Sequence, residues 1–187
     1  MSIIIVSDVF GKTSALVKFY KEINAHLIVD PYNGKDMGFK SEKDAYGFFM
    51  DSVGLDLYLT KLSKAIESIA HIDTLIGFSV GASTIWRLSE KEPVNSIGRA
   101  VCFYGSQIRN FTKINPFFDM ELVFPKSEPH FNIMELQDTL LKKQKVKIVR
   151  TCYLHGFMNY HSNNFNQTGY ADYVKLLNLK FKNCISY

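Results

Sequence analysis

The most constraining feature of the sequence is a short apolar run rich in β-branched residues, which recurs along the chain between stretches with helical spacing. Most of these runs are continuously apolar, a pattern typical of strands covered on both faces of a parallel sheet. The alternation predicts a compact, doubly wound α/β fold with a mainly parallel sheet of about six strands, flanked by helices and without a large cap domain. The predicted strands cover residues 3–7, 25–29, 74–78, 100–104, 120–124 and 147–153.

Helical periodicity is clearest over residues 55–70, where Leu55, Leu59, Leu62, Ile66 and Ile69 form one apolar stripe. Further helices are predicted over residues 13–23, 131–143 and 169–181, the first with Thr13 or Ser14 as its cap. Residues 33–54 combine glycines with aromatic side chains. This segment is interpreted either as a mobile flap over a site or as part of the core.

Length and composition narrow the class of protein. A chain of 187 residues predicts a single domain over residues 1–187. The balance of 22 Lys+Arg against 18 Asp+Glu is mild and spread out, so no nucleic-acid partner is expected. No apolar stretch approaches the roughly 18 residues of a membrane span, and no signal peptide is recognised. Cys102, Cys152 and Cys184 lack metal-binding or redox spacing and are expected to be reduced thiols, which favours a cytoplasmic location.

In a doubly wound sheet, ligands bind beyond the carboxyl ends of the strands, so the search for chemistry begins there. The third predicted strand runs into Gly77-Phe78-Ser79-Val80-Gly81-Ala82, a G-x-S-x-G placed between a strand and a helix. Such a sharp turn requires small residues beside Ser79 and holds its hydroxyl clear of the sheet. We therefore predict Ser79 as a nucleophile; the alternative is a packing turn with a capping serine.

A serine needs a base, and the base needs an acid to orient it. His155 follows the last predicted strand and Glu128 follows the one before it, which gives the chain order serine, acid, histidine. His130 is the substitute if His155 is not the base. The alternative roles for Glu128 are a solvated loop carboxylate or a cap for the helix near residue 131.

An oxyanion formed during attack on a carbonyl needs two donors. One is predicted to be the backbone N–H of Val80, the residue after Ser79. The second is expected from the loop after the first strand, from the main chain of Val9 or Phe10, of which Val9 is the one we assign.

With these residues the chain resembles the dienelactone hydrolase family of the α/β-hydrolase superfamily, from about Ile3 to the final predicted helix. The resemblance is carried by five segments: Asp8-Val9-Phe10-Gly11, Asp30-Pro31-Tyr32, the elbow at 77–82, Phe103-Tyr104-Gly105 and His155-Gly156-Phe157. It departs from the family's type member in its serine nucleophile and in its glutamate acid, and because the first predicted strand begins at Ile3, the family's leading antiparallel strands are not expected here. The resemblance implies that Asp8 contacts the nucleophile; a surface carboxylate is the alternative.

Together these features predict a small serine hydrolase that cleaves a carboxylic ester, lactone or thioester without a metal or organic cofactor. A modest apolar pocket for a small substrate is expected, with Phe10, Tyr32, Phe78, Tyr104 and Phe157 as its substrate-binding residues. Two alternatives stay open: a non-catalytic binding protein of the same fold, and an acyl transferase or amidase on the same triad. A homodimer formed through an exposed sheet edge is a further possibility.

Overall fold

Six parallel strands form one sheet in the computed structural model, which describes residues 1–183. They are β1 (Ile3–Val6), β2 (Leu27–Val29), β3 (His71–Phe78), β4 (Ser96–Phe103), β5 (Asp119–Phe124) and β6 (Val146–Arg150). Their order across the sheet is β2-β1-β3-β4-β5-β6, so the chain reverses its direction of travel after β2. The predicted doubly wound α/β fold is confirmed.

Six α-helices connect and cover the strands: α1 (Ser14–Glu22), α2 (Glu42–Ser52), α3 (Gly54–Ile66), α4 (Val80–Leu88), α5 (Ile133–Leu140) and α6 (Gln167–Asn183). Short polar side chains cap several of them at the N-terminus. Thr13 accepts a hydrogen bond from the N–H of Leu16, and Asn132 accepts from the N–H groups of Met134 and Glu135. Because Asn132 caps α5, Glu128 does not have that alternative role.

Two apolar layers enclose the sheet. One contains α3, α4 and α5 side chains such as Tyr58, Leu62 and Trp86. The other is formed by α1 and α6 against the opposite face, with Phe19 and Leu177 among its buried members. The strands are therefore covered on both faces, as their uninterrupted apolar runs indicate.

The strand boundaries differ from the prediction at the amino ends of the central strands and at the carboxyl end of β6, which ends at Arg150 rather than at residue 153. β3 begins at His71 and β4 at Ser96, where His71 pairs with Ser96. Asp119, one residue before the predicted strand 120–124, is the first residue of β5. Backbone pairing does not require apolar side chains, so central strands extend into polar residues at the solvent-facing edge of the sheet.

The glycine- and aromatic-rich segment contains helix α2, which the sequence analysis did not predict. Ser41 caps it by accepting a hydrogen bond from the N–H of Asp44 at 3.1 Å, a Ser-x-x-Asp signal present in the sequence. Phe49 is buried in the core, whereas Tyr46 and Phe48 on the same helix are exposed. The aromatic residues of this segment thus divide between core and surface.

Two further findings concern the predicted compartment. No helix within residues 1–183 is long and apolar enough to cross a membrane. Cys102 and Cys152 are free cysteines, the first buried and the second exposed; Cys184 lies outside the described residues.

Candidate active site

Ser79 occupies a tight turn between β3 and α4. Its backbone has φ 50° and ψ −112°, a conformation that L-residues rarely adopt. A Cβ on Gly81 would lie 2.3 Å from the carbonyl oxygen of Val6, and one on Gly77 would lie 2.7 Å from the backbone of Ala82. The flanking glycines therefore allow α4 to begin directly against the end of β1, with Ser79 held at the carboxyl edge of the sheet.

A chain of hydrogen bonds joins Ser79, His155 and Glu128. The distance from Ser79 Oγ to His155 Nε2 is 3.2 Å, and from His155 Nδ1 to Glu128 Oε1 it is 2.7 Å. The Glu128 side chain is only 6% exposed and that of His155 18%. The short, shielded contact allows Glu128 to fix the imidazole with Nδ1–H donating to the carboxylate, which leaves Nε2 free to accept the serine proton.

Neighbouring strands bring the acid and the histidine together. Glu128 follows β5 and His155 follows β6, and these two strands are paired. Backbone bonds tie the loops to each other: the N–H of Lys126 donates to the carbonyl of Tyr153 at 2.7 Å. Asn164 then donates its side-chain amide to the carbonyl of His155 at 2.9 Å. The histidine loop is thereby held at both ends.

The loop after β1 carries the two backbone donors that the sequence left open, those of Val9 and Phe10. The carbonyl of Asp8 accepts from the Ser7 hydroxyl at 3.1 Å and from the N–H of Gly11 at 3.2 Å. The N–H of Phe10 is occupied by the Asp8 carboxylate at 2.9 Å. Val9 N–H makes no hydrogen bond to the residues that the structure describes. Of the two donors left open by the sequence, Val9 is therefore the available one.

The second donor follows from the start of α4. The N–H of Val80 is the first in the helix, so it has no acceptor within the helix. Close packing of Gly81 on Val6 and Ser7 sets this helix end against the loop that carries Val9. The N–H of Val80 thus adjoins the turn at Ser79, and the positive end of the α4 dipole adds to it.

Asp8 is a partly buried carboxyl group close to the site. Burial raises its pKa to about 6, with a further increase from the charge of Glu42, while hydrogen bonds from Phe10 N–H and the Asn159 amide act in the opposite direction. The structure gives Asp8 no hydrogen bond to Ser79. Instead, it organises the loop that carries Val9 and connects it to the histidine loop through Asn159.

Glu42 was not identified by the sequence analysis. It lies in the first turn of α2, with one carboxylate oxygen 3.9 Å from His155 Nε2, the nitrogen that faces Ser79. The other oxygen accepts a hydrogen bond from Ser162 at 3.4 Å. On the same helix, the Tyr46 hydroxyl accepts from the side-chain amide of Gln107 at 2.7 Å, so α2 contacts both the histidine loop and the short 3-10 helix Ser106–Phe111. Only the Ser41 cap signal indicated a helix here, and nothing in the sequence placed it beside the histidine.

The predicted substrate-binding residues occupy three different environments. Phe78 and Tyr104 line a cavity next to the site. Tyr32 donates its hydroxyl to the carbonyl of Val9 at 2.8 Å, so it supports the loop after β1. Phe10 is buried and stacks on the ring of His161, and Phe157 is fully buried behind Tyr104.

His26, His71 and His130 are not part of this hydrogen-bonded chain. His71 begins β3 at the opposite edge of the sheet, and the N–H of His26, before β2, donates to the carbonyl of Ile3. His130 is exposed. Within residues 1–183 no group of three or more His, Cys, Asp or Glu side chains is arranged to hold a metal ion.

Comparison with known proteins places the chain in a family. No family model matches it. It is 32% identical over 174 residues to the uncharacterized protein YczH of Bacillus subtilis (strain 168), an alignment that covers 88% of this chain and 84% of that protein. The chain belongs to the YczH family.

Solved structures show which fold this YczH-family chain shares. A dienelactone hydrolase-like promiscuous phosphotriesterase from metagenomic libraries superimposes with a TM-score of 0.65 at 14% identity, covering 95% of this chain and 84% of its own. The enol-lactonase from Burkholderia xenovorans LB400 gives 0.64 at 7% identity, with coverage of 94% and 89%. Est1E from Butyrivibrio proteoclasticus gives 0.63 at 9% identity, with coverage of 99% and 88%. The YczH-family chain therefore has the α/β-hydrolase fold, and its resemblance to dienelactone hydrolases is confirmed at the level of the fold.

Proposed function

We propose that this protein is a serine hydrolase that cleaves a carboxylic ester, lactone or thioester through an acyl-enzyme on Ser79. The observation that carries the proposal is the continuous chain from Ser79 Oγ through His155 to the shielded carboxylate of Glu128. A hydrophilic cluster with only a structural role does not require a strained serine backbone at a helix N-terminus. The α/β-hydrolase fold and the esterase and lactonase names among its structural neighbours favour the same class of reaction.

The proposed reaction has two halves. Ser79 Oγ attacks the carbonyl carbon as its proton passes to His155 Nε2, and Glu128 stabilises the imidazolium that forms. The N–H groups of Val9 and Val80 bind the negative oxygen. The bond to the leaving alkoxide or thiolate then breaks, and His155 returns the proton to it. Water, activated by the same histidine, attacks the acyl group and releases the acid and free Ser79.

Intact-mass analysis after treatment with a fluorophosphonate probe tests the activated serine. Wild type is expected to gain one adduct, Ser79→Ala none, and Ser63→Ala, which changes an exposed serine on α3, one adduct as in wild type. Turnover of a panel of short-chain p-nitrophenyl esters then tests hydrolysis. A correctly folded wild-type protein that takes no adduct and turns over no ester contradicts the proposal and favours a binding protein of the same fold.

A further inference from the structure

A cavity adjoins the proposed catalytic residues on the α1 and α6 side of the sheet. It lies between α1 and the chain from Met158 to Tyr170. Its wall includes Phe78, which directly precedes Ser79, and Asp8, which directly precedes Val9. A third wall residue, Tyr104, has its ring centre 4.9 Å from that of His155. The cavity is therefore lined by the residues that directly precede the nucleophile and one oxyanion donor, and by a ring that contacts the base, but not by the triad itself.

The cavity is lined mainly by apolar side chains, among them Leu16, Phe19, Met158 and Phe165. Its volume, counted as the space open to the centre of a water molecule, is about 70 Å³. One water molecule needs roughly 10–15 Å³ on this measure. The space is thus several times larger than a single water requires and suits a compact group such as a six-membered ring.

Tyr104, one of the lining residues, carries a buried hydroxyl without a well-formed partner. The side chain is 1% exposed, and its hydroxyl makes no well-formed hydrogen bond to any described residue, although the backbone N–H of Met158 lies near it. An unpaired buried hydroxyl is unfavourable, because it has lost its hydrogen bonds to water without gaining others. The Asp8 carboxyl group and the Asn159 amide, which bond to each other, add further polar groups to the same wall. A ligand oxygen near Tyr104 would complete this set.

We propose that the cavity binds a ring-sized apolar part of the substrate that carries a hydroxyl group. The ring fills the apolar space, and its hydroxyl accepts from Tyr104 and donates to the Asp8 carboxylate. This assignment rests on the proposed ester hydrolysis and narrows its substrate class to esters whose acid or alcohol part carries a hydroxylated ring. The ring belongs either to the acid or to the alcohol of the ester, and the two sources are separated by experiment.

Pairs of esters that differ only in one hydroxyl group test whether the cavity recognises that group. Ethyl 4-hydroxybenzoate is compared with ethyl benzoate for the acid side, and 4-hydroxyphenyl acetate with phenyl acetate for the alcohol side. In one pair the hydroxyl is expected to raise kcat/KM by about tenfold, since one hydrogen bond to an otherwise unpaired buried group changes binding by about this factor. In Tyr104→Phe, which keeps the ring and removes the hydroxyl, this ratio should fall towards one. A ratio near one in both wild-type pairs overturns the proposal.

Substitutions inside and outside the cavity wall test whether the ring of the substrate occupies the cavity. Ala15 lines the cavity from the first turn of α1, whereas Ala171 is exposed on α6. Ala15→Phe should lower the ratio of kcat/KM for the preferred ring ester to that for ethyl acetate by about tenfold or more. Ala171→Phe, the same chemical change outside the cavity, should leave the ratio unchanged. Equal ratios in the two variants contradict the assignment.

A binding measurement on a variant without the nucleophile tests the cavity assignment independently of the proposed hydrolase activity. Calorimetric titration of Ser79→Ala with phenol should show binding that benzene does not match and that Tyr104→Phe on the same background weakens. Phenol binding in a protein whose wild type takes no fluorophosphonate adduct supports the cavity and contradicts the hydrolase. If wild type takes the adduct but Ser79→Ala binds phenol and benzene equally, the hydrolase proposal is supported and the cavity assignment fails.

Discussion

Two carboxylates approach His155, and they face different ring nitrogens. Glu128 lies 2.7 Å from Nδ1 and is almost fully shielded, whereas Glu42 lies 3.9 Å from Nε2 and is 42% exposed. Only a group on Nδ1 can hold the tautomer that leaves Nε2 free to accept a proton. Glu128→Gln is therefore expected to lower kcat by about a hundredfold or more, and Glu42→Gln by less than about tenfold.

Steady-state kinetics on the best ester from the panel measures both effects, with thermal unfolding as the check on folding. A larger loss in Glu42→Gln than in Glu128→Gln would assign the orienting acid to α2. Glu128 could be chosen from the sequence because it follows a strand at the carboxyl edge of the sheet. It offered no reason to consider Glu42, since the approach of α2 to the histidine loop depends on tertiary packing.

The raised pKa of Asp8 predicts a pH-dependent stability. Its pKa is about 6 in the folded protein against 3.8 for an ordinary aspartate. The folded state therefore holds the proton more tightly, so this group's favourable contribution is complete below about pH 4 and is lost as pH rises through about 6. The loss amounts to up to about 3 kcal/mol. Asp8→Asn should gain stability relative to wild type as pH rises through this window.

Urea unfolding at pH 4.5 and pH 7.5 measures the difference in free energy of unfolding between wild type and Asp8→Asn at each pH. Asp51→Asn, at an exposed position on α2, is the matched control and should differ from wild type equally at both pH values. If Asp8→Asn also shows an equal difference at both, the carboxyl group is not held at a raised pKa.

The start of α4 depends on contact with β1 rather than on helix propensity. A methyl group at Gly81 would collide with the backbone carbonyls of Val6 and Ser7, at 2.3 and 2.4 Å, and neither can move without distorting the strand. Gly81→Ala is therefore expected to destabilise the fold by about 3 kcal/mol or more. Gly47 lies on the exposed face of α2 with nothing near its missing Cβ, so Gly47→Ala should stabilise by about 0.5–1 kcal/mol.

Chemical denaturation measures the free energy of unfolding of both variants, and a loss of similar size at both positions would show that the close contact of Gly81 with β1 is not the cause. The elements themselves differ in how far the sequence determines them. The elbow was predictable because its glycines mark a steric requirement that any residue with a Cβ would break. Helix α2 was not predicted, because its apolar residues are divided between the core and the surface and so give no single apolar stripe.

Helix α6 connects the sheet face that it covers to the loops of the proposed active site. Its N-terminal end follows the histidine loop, where the N–H of Asn166 donates to the carbonyl of Phe157 at 3.1 Å. Near its other end Lys180 contacts the carboxylate of Glu121 on β5, which also accepts from Lys147 on β6 at 3.1 Å. One carboxylate thus joins a helix and two strands. Strand order and helix periodicity predicted these elements, but not this contact, which joins positions 59 residues apart.

Glu121 carries a pH dependence opposite to that of Asp8. Burial acts to raise its pKa, but the hydrogen bonds and charges of Lys180 and Lys147 outweigh burial and lower the pKa. Its contribution to stability is therefore present above the pKa of an unfolded glutamate, about 4.5, and is lost as pH falls through the lower folded value. Glu121→Gln should cost about 1–2 kcal/mol at pH 7 and progressively less below pH 4.5.

Urea unfolding of wild type and Glu121→Gln between pH 3 and pH 7 tests this directly. Glu135→Gln, which changes an exposed glutamate on α5, is the control and should show a smaller difference at pH 7. A cost in Glu121→Gln that stays constant down to pH 3 would mean that packing, rather than charge, holds α6 to the sheet. If the cost instead disappears in acid, as charge pairing requires, then the anchoring of α6, and with it the loop that carries His155, weakens in acid as Glu121 takes up its proton.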